Sequence, residues 1–261
     1  HPGEKILSNL TGSYVRDAYL QGLTLQDQGK PNPFNFGVIG SSDTHVGGGS
    51  YTEETHFSKI GLLDGEPYLR GSVPFDGIYS LIARLWQPDS ILEIDKKNYL
   101  SFSPRLIRFG SSGLAGVWAE ENTRESIYNA FRRKETFGTS GPRIKVRFFA
   151  GYNFENSNLN DQDLIQDAYS KNVPMGGDII QEKGKNPRFL VWAISDPLGA
   201  PLQRLQIIKG WLEDGEQREK VFDVACSDGL SVDPITHRCP DNEALVNLDD
   251  CSISTDKGNS E

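Results

Sequence analysis

Basic residues are few in this 261-residue sequence, which carries 27 Lys and Arg against 36 Asp and Glu, for a net charge of −9. Long hydrophobic runs are also missing, and none approaches the roughly 20 residues that a membrane-spanning helix needs. The acidic balance argues against a nucleic-acid surface, which usually requires a basic face, and against a polybasic membrane contact. We therefore expect neither nucleic acid nor a membrane as a partner.

Several catalytic signatures are absent as well. The chain has no Walker phosphate loop, no Rossmann glycine fingerprint, no Gly-x-Ser-x-Gly elbow and no HExxH zinc motif. It begins at His1, its single methionine is Met175, and it shows no signal peptide. Two explanations follow for this start: a signal peptide was removed, or the chain is a piece of a longer one.

Cysteine is scarce and confined to one region. Cys226, Cys239 and Cys251 all lie in a polar, turn-rich segment with little apolar content, where disulfides commonly replace a core. A disulfide predicts a periplasmic or secreted protein, and three reduced cysteines in a cytosolic protein remain the alternative. Zinc is less favoured because no Cys-x-x-Cys occurs, and the odd count leaves one thiol free or paired elsewhere.

One short stretch carries a candidate metal site. Residues 36–39 form an apolar run that ends at Gly40, and Asp43 and His45 follow closely. Such a run predicts a buried strand, and residues two apart project to the same side near its carboxyl end. A carboxylate and an imidazole there suit a divalent zinc, manganese or iron ion. The alternative is a loop in which Asp43 caps a turn and His45 has no special role.

Apolar residues recur at helical spacing in three places, which predicts helices over 13–28, 78–85 and 122–135. The first helix and the strand at 36–39 resemble one unit of an α/β layer or barrel. Residues 92–103 are consistent with a strand pair or with an irregular cover.

The third helix begins at a second candidate site. Asn122 and Glu125 have the spacing of a capping box. Glu121 and Arg124 lie beside them at a strand-to-helix junction, where α/β proteins often hold functional groups. An ordinary helix cap with solvated charges is the alternative interpretation.

The sequence pattern changes near residues 139–142, where we place a domain boundary. From residue 143 basic and apolar residues alternate, as in a half-buried strand. Asp214-Gly215 is a strong hairpin signal. A short helix is predicted near 163–169, and strands are predicted over 143–148, 189–194, 205–212 and 220–225. Strands joined by short turns predict a small antiparallel β-sandwich.

Four stretches together resemble a known bacterial family: 36–45, 113–125, 141–149 and 207–211. That family is a domain of unknown function similar to the PHP (polymerase and histidinol phosphatase) metallohydrolases and to the carbaryl-hydrolase type. The resemblance extends from about residue 13 to residue 254. It implies an α/β fold, the later part of a distorted PHP-like barrel followed by a β-sandwich.

The resemblance also implies domains and ligands. Residues 1–140 would be the C-terminal portion of the barrel, 141–225 the sandwich and 226–261 a cysteine-rich tail. Asp43 and His45 match the final Asp-x-His of the PHP motifs and would be metal ligands. Family members have a fourth cysteine further on, which would explain the odd count.

The histidine content departs from the PHP pattern, which starts from an early His-x-His. The four histidines are His1, His45, His56 and His237, and no two form that pair. The chain therefore resembles the later part of a longer protein. A second polypeptide would supply the missing barrel strands, or the chain is a stable fragment.

Two functions follow from these observations. The first is part of a metal-dependent hydrolase that attacks a small phosphoester or related ester with metal-activated water. Glu121 and Arg124 are its candidate catalytic residues, and Arg124 would neutralise an anionic substrate. The second is a non-catalytic structural or interaction fragment that exposes an apolar face, because half a barrel cannot close its own core.

Overall fold

A computed structural model describes residues 12, 14–42, 73–75, 77–86, 91–100, 113–152, 154, 163–247, 249–250 and 252–261. The helices among them are α1 (Val15–Asp27), α2 (Ile78–Trp86), α3 (Arg124–Arg132) and α4 (Leu164–Lys171). The strands are β1 (Ile91–Ile94), β2 (Lys97–Leu100), β3 (Ala115–Val117), β4 (Thr136–Gly138), β5 (Lys145–Gly151), β6 (Val173–Pro174), β7 (Arg188–Ile194), β8 (Arg204–Glu213) and β9 (Glu216–Cys226).

The chain divides into two compact units. The first contains the described parts of Ile39–Ala115 together with Gly138–Gly141. The second contains the described parts of Ile6–Val38, Gly116–Phe137 and Pro142–Glu261. The domain boundaries expected from the sequence stay a prediction.

In the first unit, β1 and β2 form an antiparallel hairpin with Ile91 opposite Leu100. Asp95 and Lys96 make its turn with φ of 51° and 62°. The described part of residues 92–103 is therefore a strand pair. The helix predicted over 78–85 is confirmed as α2.

In the second unit, α1 packs on the hairpin of β8 and β9. Leu20 is the buried apolar residue of α1, and its Cδ2 atom lies against Gly210, where a methyl group would come within 2.9 Å. Arg16 pairs with Glu219 at 2.9 Å beside this contact. The predicted first helix is thus confirmed, and an apolar contact with a polar border holds it in place.

The strand predicted over 36–39 is wrong, because that segment forms no ladder in the structure. The N–H of Phe36 donates to the carbonyl of Phe34 at 3.0 Å. The carbonyl of Phe36 accepts a hydrogen bond from the Tyr19 hydroxyl at 2.9 Å. Both backbone groups are therefore used in a local turn and a helix contact instead of a sheet.

β5 is the centre of a three-stranded antiparallel sheet with the order β6–β5–β7. Phe149 in β5 lies opposite Leu190 in β7. Leu164 and Ala168, one turn apart on α4, complete a buried cluster with these two residues. The predicted short helix is confirmed as α4, and its apolar face covers this sheet.

β8 and β9 form the longest hairpin among the described residues. Asp214 and Gly215 make the two-residue turn with φ of 54° and 79°, as the sequence predicts. Glu213 and Glu216 are the first pair after the turn. Glycine suits the second turn position because it has no Cβ to clash at positive φ.

A disulfide joins the end of β9 to the chain that follows. Cys226 and Cys239 are bonded, and Cys251 lies outside the described residues. The disulfide alternative is thereby supported for two of the three cysteines. A disulfide is compatible with an extracellular location. None of the described helices combines the length and apolar character needed to cross a bilayer.

The architecture confirms a mixed α/β protein with small antiparallel sheets. No closed barrel occurs among the described residues, so the PHP-like barrel is not confirmed. The sheets have only two or three strands each within the described part of the chain, and such sheets cannot close into a barrel.

Candidate functional site

The predicted metal ligands, Asp43 and His45, lie outside the described residues. The structure describes the chain up to Ser42 and therefore shows how the segment before Asp43 is held. Within the first unit, residues 39–42 pass beside residues 113–114 and 138–139.

Three glycines set the spacing of this segment. A methyl group on Gly40 would lie 2.6 Å from the carbonyl oxygen of Leu114, and one on Gly113 would lie 2.6 Å from that of Ser41. A methyl group on Gly138 would lie within 3.0 Å of the backbone of Gly40. The three backbones therefore meet at a distance that only glycine allows, directly before the Asp-x-His motif.

Side chain and backbone bonds join two of the segments that surround Gly40. The N–H of Leu114 donates to Thr139 Oγ1 at 3.0 Å. The N–H of Thr139 donates in return to the carbonyl of Leu114 at 3.0 Å. This reciprocal pair joins the two segments that lie beside Gly40.

Glu121 and Arg124 lie at the start of α3, as the sequence predicts, and both are exposed. The N-cap is Thr123, whose Oγ1 accepts from the N–H of Ser126 at 3.3 Å. The N–H of Glu121 donates to Ser126 Oγ at 3.1 Å. The capping box expected from residue 122 is therefore wrong by one position.

No hydrogen bond or ion pair joins the side chains of Glu121 and Arg124 to each other or to other described residues. The structure places them in one turn of chain, but it does not assemble them into a contact. Their catalytic roles stay predictions.

Glu135, which the sequence did not single out, is buried directly after α3 with only 2% of its surface exposed. Its carboxylate accepts a hydrogen bond from the Tyr169 hydroxyl of α4. Arg133 approaches the second oxygen at 3.3 Å. A buried carboxylate requires such partners, because an unpaired charge in the interior is very costly.

The network around Glu135 continues to β5. Arg147 donates to the Tyr169 hydroxyl at 2.8 Å, and its guanidinium stacks 3.6 Å from the ring centre of Trp118. The Trp118 indole N–H donates to the carbonyl of Val146 at 2.8 Å. These contacts tie the residues before α3 to the central sheet strand.

Tyr169 holds its proton in this network. Partial burial, followed by the hydrogen bond and charge of Glu135, raises the pKa of Tyr169 to about 12, although the charge of Arg147 acts in the opposite direction. The hydroxyl can therefore donate to Glu135 and accept from Arg147 throughout the physiological pH range. We interpret the cluster as a structural link, since no step of chemistry is evident in it.

A second buried carboxylate lies beside the disulfide. Asp223 accepts from the N–H of Cys239 at 2.7 Å and from Gln206 Nε2 at 2.6 Å. Arg204 and Arg238 approach its two oxygens at 3.4 and 3.3 Å. The buried carboxylate of Asp223 thus connects β8, β9 and the end of the disulfide loop.

Metal ligands do not cluster in the part of the chain that the structure describes. There, no group of three or more His, Cys, Asp or Glu side chains has a geometry that could hold a metal ion. His237 is engaged elsewhere, with its ring 5.1 Å from that of Phe222.

A comparison with known protein families identifies the family to which the chain belongs. A model of the family described as "Protein of unknown function (DUF3604)" matches residues 1–261. The chain belongs to the DUF3604 family. No curated protein and no solved structure matches it. The family relationship therefore supports the resemblance to a domain of unknown function, and it carries no activity with it.

Proposed function

We propose that this DUF3604 chain is part of a metal-dependent hydrolase of phosphoesters or related esters, with Asp43 and His45 as ligands of a divalent ion. The glycine-lined packing of residues 39–42 carries the proposal. A metal site requires first-contact ligands with fixed positions, and the backbone that leads to this Asp-x-His motif is held where side chains cannot fit.

The donor types suit the metal, but their number is incomplete. A carboxylate oxygen and an imidazole nitrogen suit zinc, manganese or iron. Two donors leave a tetrahedral site two ligands short, and the described residues offer no group of three. We expect the remaining ligands from residues outside the described ranges or from a second polypeptide.

Two further residues of the chain are assigned to the reaction. A bound divalent metal would supply Lewis-acid chemistry and activate water. Arg124 would neutralise the anionic ester through its exposed guanidinium. Glu121 would accept a proton. Because neither residue has an ion-pair partner among the described residues, both are available to a substrate.

The test is the metal content of the protein, purified together with any polypeptide that accompanies it and measured by mass spectrometry of its metals after dialysis. We compare His45→Asn with His237→Asn, because both remove one imidazole and asparagine tolerates the φ of 56° at residue 237. We expect bound metal in the wild type and the His237 variant, and at least a tenfold loss in the His45 variant. Equal metal content in both variants, or none in the wild type, would overturn the proposal.

Activity is the second readout of the same test. Aryl phosphates and aryl esters serve as generic substrates, with Asp43→Asn and Arg124→Gln as variants. We expect hydrolysis to depend on added metal. Each of the two substitutions should reduce the rate of hydrolysis by at least tenfold. Unchanged hydrolysis in Asp43→Asn would contradict the assigned role of the metal.

A second candidate function is a non-catalytic interaction role. Helix α2 exposes large apolar side chains, with Leu85 at 75% and Trp86 at 84% exposure. Exposed apolar side chains of this size often mark a protein interface. Native mass spectrometry of the purified chain separates the two functions: a complex with a second polypeptide and no bound metal would favour the interaction role.

A further inference from the structure

The β8–β9 hairpin has one face that α1 does not cover. Side chains alternate along a strand, and Gly210 and Glu219 face α1, where they meet Leu20 and Arg16. The neighbouring positions on the opposite face hold Lys209 and Trp211 on β8 and Lys220 and Phe222 on β9. We call these four residues the lysine face.

Two cations meet on the lysine face. Lys209 and Lys220 are directly opposite in the ladder, an arrangement that costs stability when the charges are alike. Neither ammonium has an ion pair or a hydrogen bond with a carboxylate among the described residues. Each instead lies over a ring, Lys209 at 5.0 Å from Trp211 and Lys220 at 4.9 Å from Phe222.

Arg218, the next cation along the same face, differs from the two lysines because it has acidic partners. Arg218, opposite Trp211, contacts Glu213 at 3.3 Å and Glu216 at 2.8 Å. The hairpin thus neutralises one cation with its own acids and leaves two lysines side by side. Anionic groups bound to the two lysines would remove their mutual repulsion.

We propose that the lysine face binds an acidic polysaccharide, with its carboxylate or sulfate groups on Lys209 and Lys220. The Cα atoms of such a strand pair are about 5.5 Å apart, and the two lysines lean in opposite directions along the face, Lys209 toward Trp211 and Lys220 toward Phe222. A chain with repeated acidic groups can therefore contact each ammonium with a different group. The partly exposed ring of Trp211 follows about 7 Å along the strand. Its flat apolar surface suits the C–H face of the adjoining sugar.

Other polyanions fit this surface less well. Nucleic acid carries a charged phosphate on every nucleotide and is usually bound by a basic patch or stripe, whereas the lysine face offers two lysines without an acidic partner among the described residues. Acidic membranes are recognised by clusters of four to eight basic residues. An acidic peptide strand would add to a sheet edge rather than lie on a face. The proposal is independent of the metal site, since the lysine face contains none of its residues.

The experiment measures binding of a polyuronate, oligogalacturonate, by isothermal titration calorimetry at low and high salt. Lys209→Gln/Lys220→Gln is compared with Lys171→Gln/Lys185→Gln, which removes the same charge from lysines that pair with Asp167 and Glu182. We expect at least a tenfold weaker affinity in the first double variant, little change in the control, and loss of wild-type binding at high salt. Trp211→Leu should also weaken binding.

Neutral dextran, single-stranded DNA and vesicles of anionic phospholipid complete the comparison. None of them should bind as tightly as the polyuronate. The proposal fails if the polyuronate does not bind, if both double variants weaken binding equally, or if DNA or vesicles bind better. Urea unfolding gives a separate readout: Lys209→Gln/Lys220→Gln should be as stable as the wild type or more so, whereas a purely structural pair would lose stability.

Discussion

Asp223→Asn tests whether the charge of the buried carboxylate beside the disulfide stabilises the fold. The wild-type side chain is fully buried and receives donors from Cys239 and Gln206. Asparagine keeps the shape but turns an NH₂ group toward one of these donors and leaves Arg204 and Arg238 without their shared anion. Charged hydrogen bonds contribute about 1.5–3 kcal/mol and a broken buried pair costs about 3–5 kcal/mol. Both arginines reach solvent, so we expect the free energy of unfolding to fall by about 3 kcal/mol.

The pH dependence of the stability provides an independent test of the role of Asp223. Burial alone would raise the pKa of the Asp223 carboxyl, but hydrogen bonds from Cys239, Gln206 and Arg238 and the charge of Arg204 hold it below its ordinary value. The carboxylate therefore contributes stability above pH 4, roughly its unfolded pKa, and this stability is lost as pH falls through the folded pKa. Asp223→Asn should lose this part of the acid dependence.

The assay is urea unfolding of the oxidised protein, followed by tryptophan fluorescence between pH 3 and pH 7. Asp167→Asn is the matched control, because its carboxylate is exposed and pairs with Lys171 one helical turn away. Such a pair is worth only about 0.3–0.5 kcal/mol. The reasoning is refuted if Asp223→Asn costs less than about 1 kcal/mol, or if its acid dependence equals that of the wild type.

Three further substitutions probe other parts of the molecule. Tyr169→Phe removes a donor from the buried Glu135 and should lower the free energy of unfolding by about 1–3 kcal/mol in urea; an unchanged midpoint would contradict the network. Gly40→Ala forces two backbones apart and should lower the thermal midpoint by several degrees; an unchanged midpoint would contradict the close packing. Replacing Cys226 and Cys239 with serine should cost about 3 kcal/mol in urea, and added dithiothreitol should then have no further effect.

Local signals in the sequence were sufficient for much of the fold. The Asp214-Gly215 turn is predictable because a tight hairpin requires positive φ at two adjacent residues, and Asp-Gly is a pair that adopts it. Helix α1 was predicted because its apolar positions recur within 13 residues. The strand over 36–39 was wrong because an apolar run does not reveal where its backbone hydrogen bonds go.

The buried carboxylates could not be predicted in the same way. Glu135 is bound by Tyr169, which is 34 residues distant in the chain, and Asp223 by Cys239, which is 16 residues distant. No short sequence pattern indicates such long-range pairings. The lysine pair differs, since the turn sets the register and counting back from it places Lys209 opposite Lys220.

The residues of the candidate site also differ in how far local sequence signals could predict them. The position of Arg124 at the start of α3 followed from the helix signal and is confirmed. The Asp43 and His45 motif rests on spacing and on resemblance to the family, and both residues lie outside the described part of the chain. Whether they bind metal depends on ligands from elsewhere, which spacing within one short stretch cannot supply.

The glycine contact before Asp43 has a consequence for how this family can diverge. Gly40, Gly113 and Gly138 lie far apart in sequence, yet a side chain on each would meet backbone atoms of a residue at or next to another of the three. A single replacement cannot be absorbed by its neighbours, because backbone atoms rather than flexible side chains stand in the way. The three positions are therefore expected to change together or not at all. In an alignment of DUF3604 sequences, a lineage that lost one of these glycines should have lost the others, and with them the Asp-x-His motif.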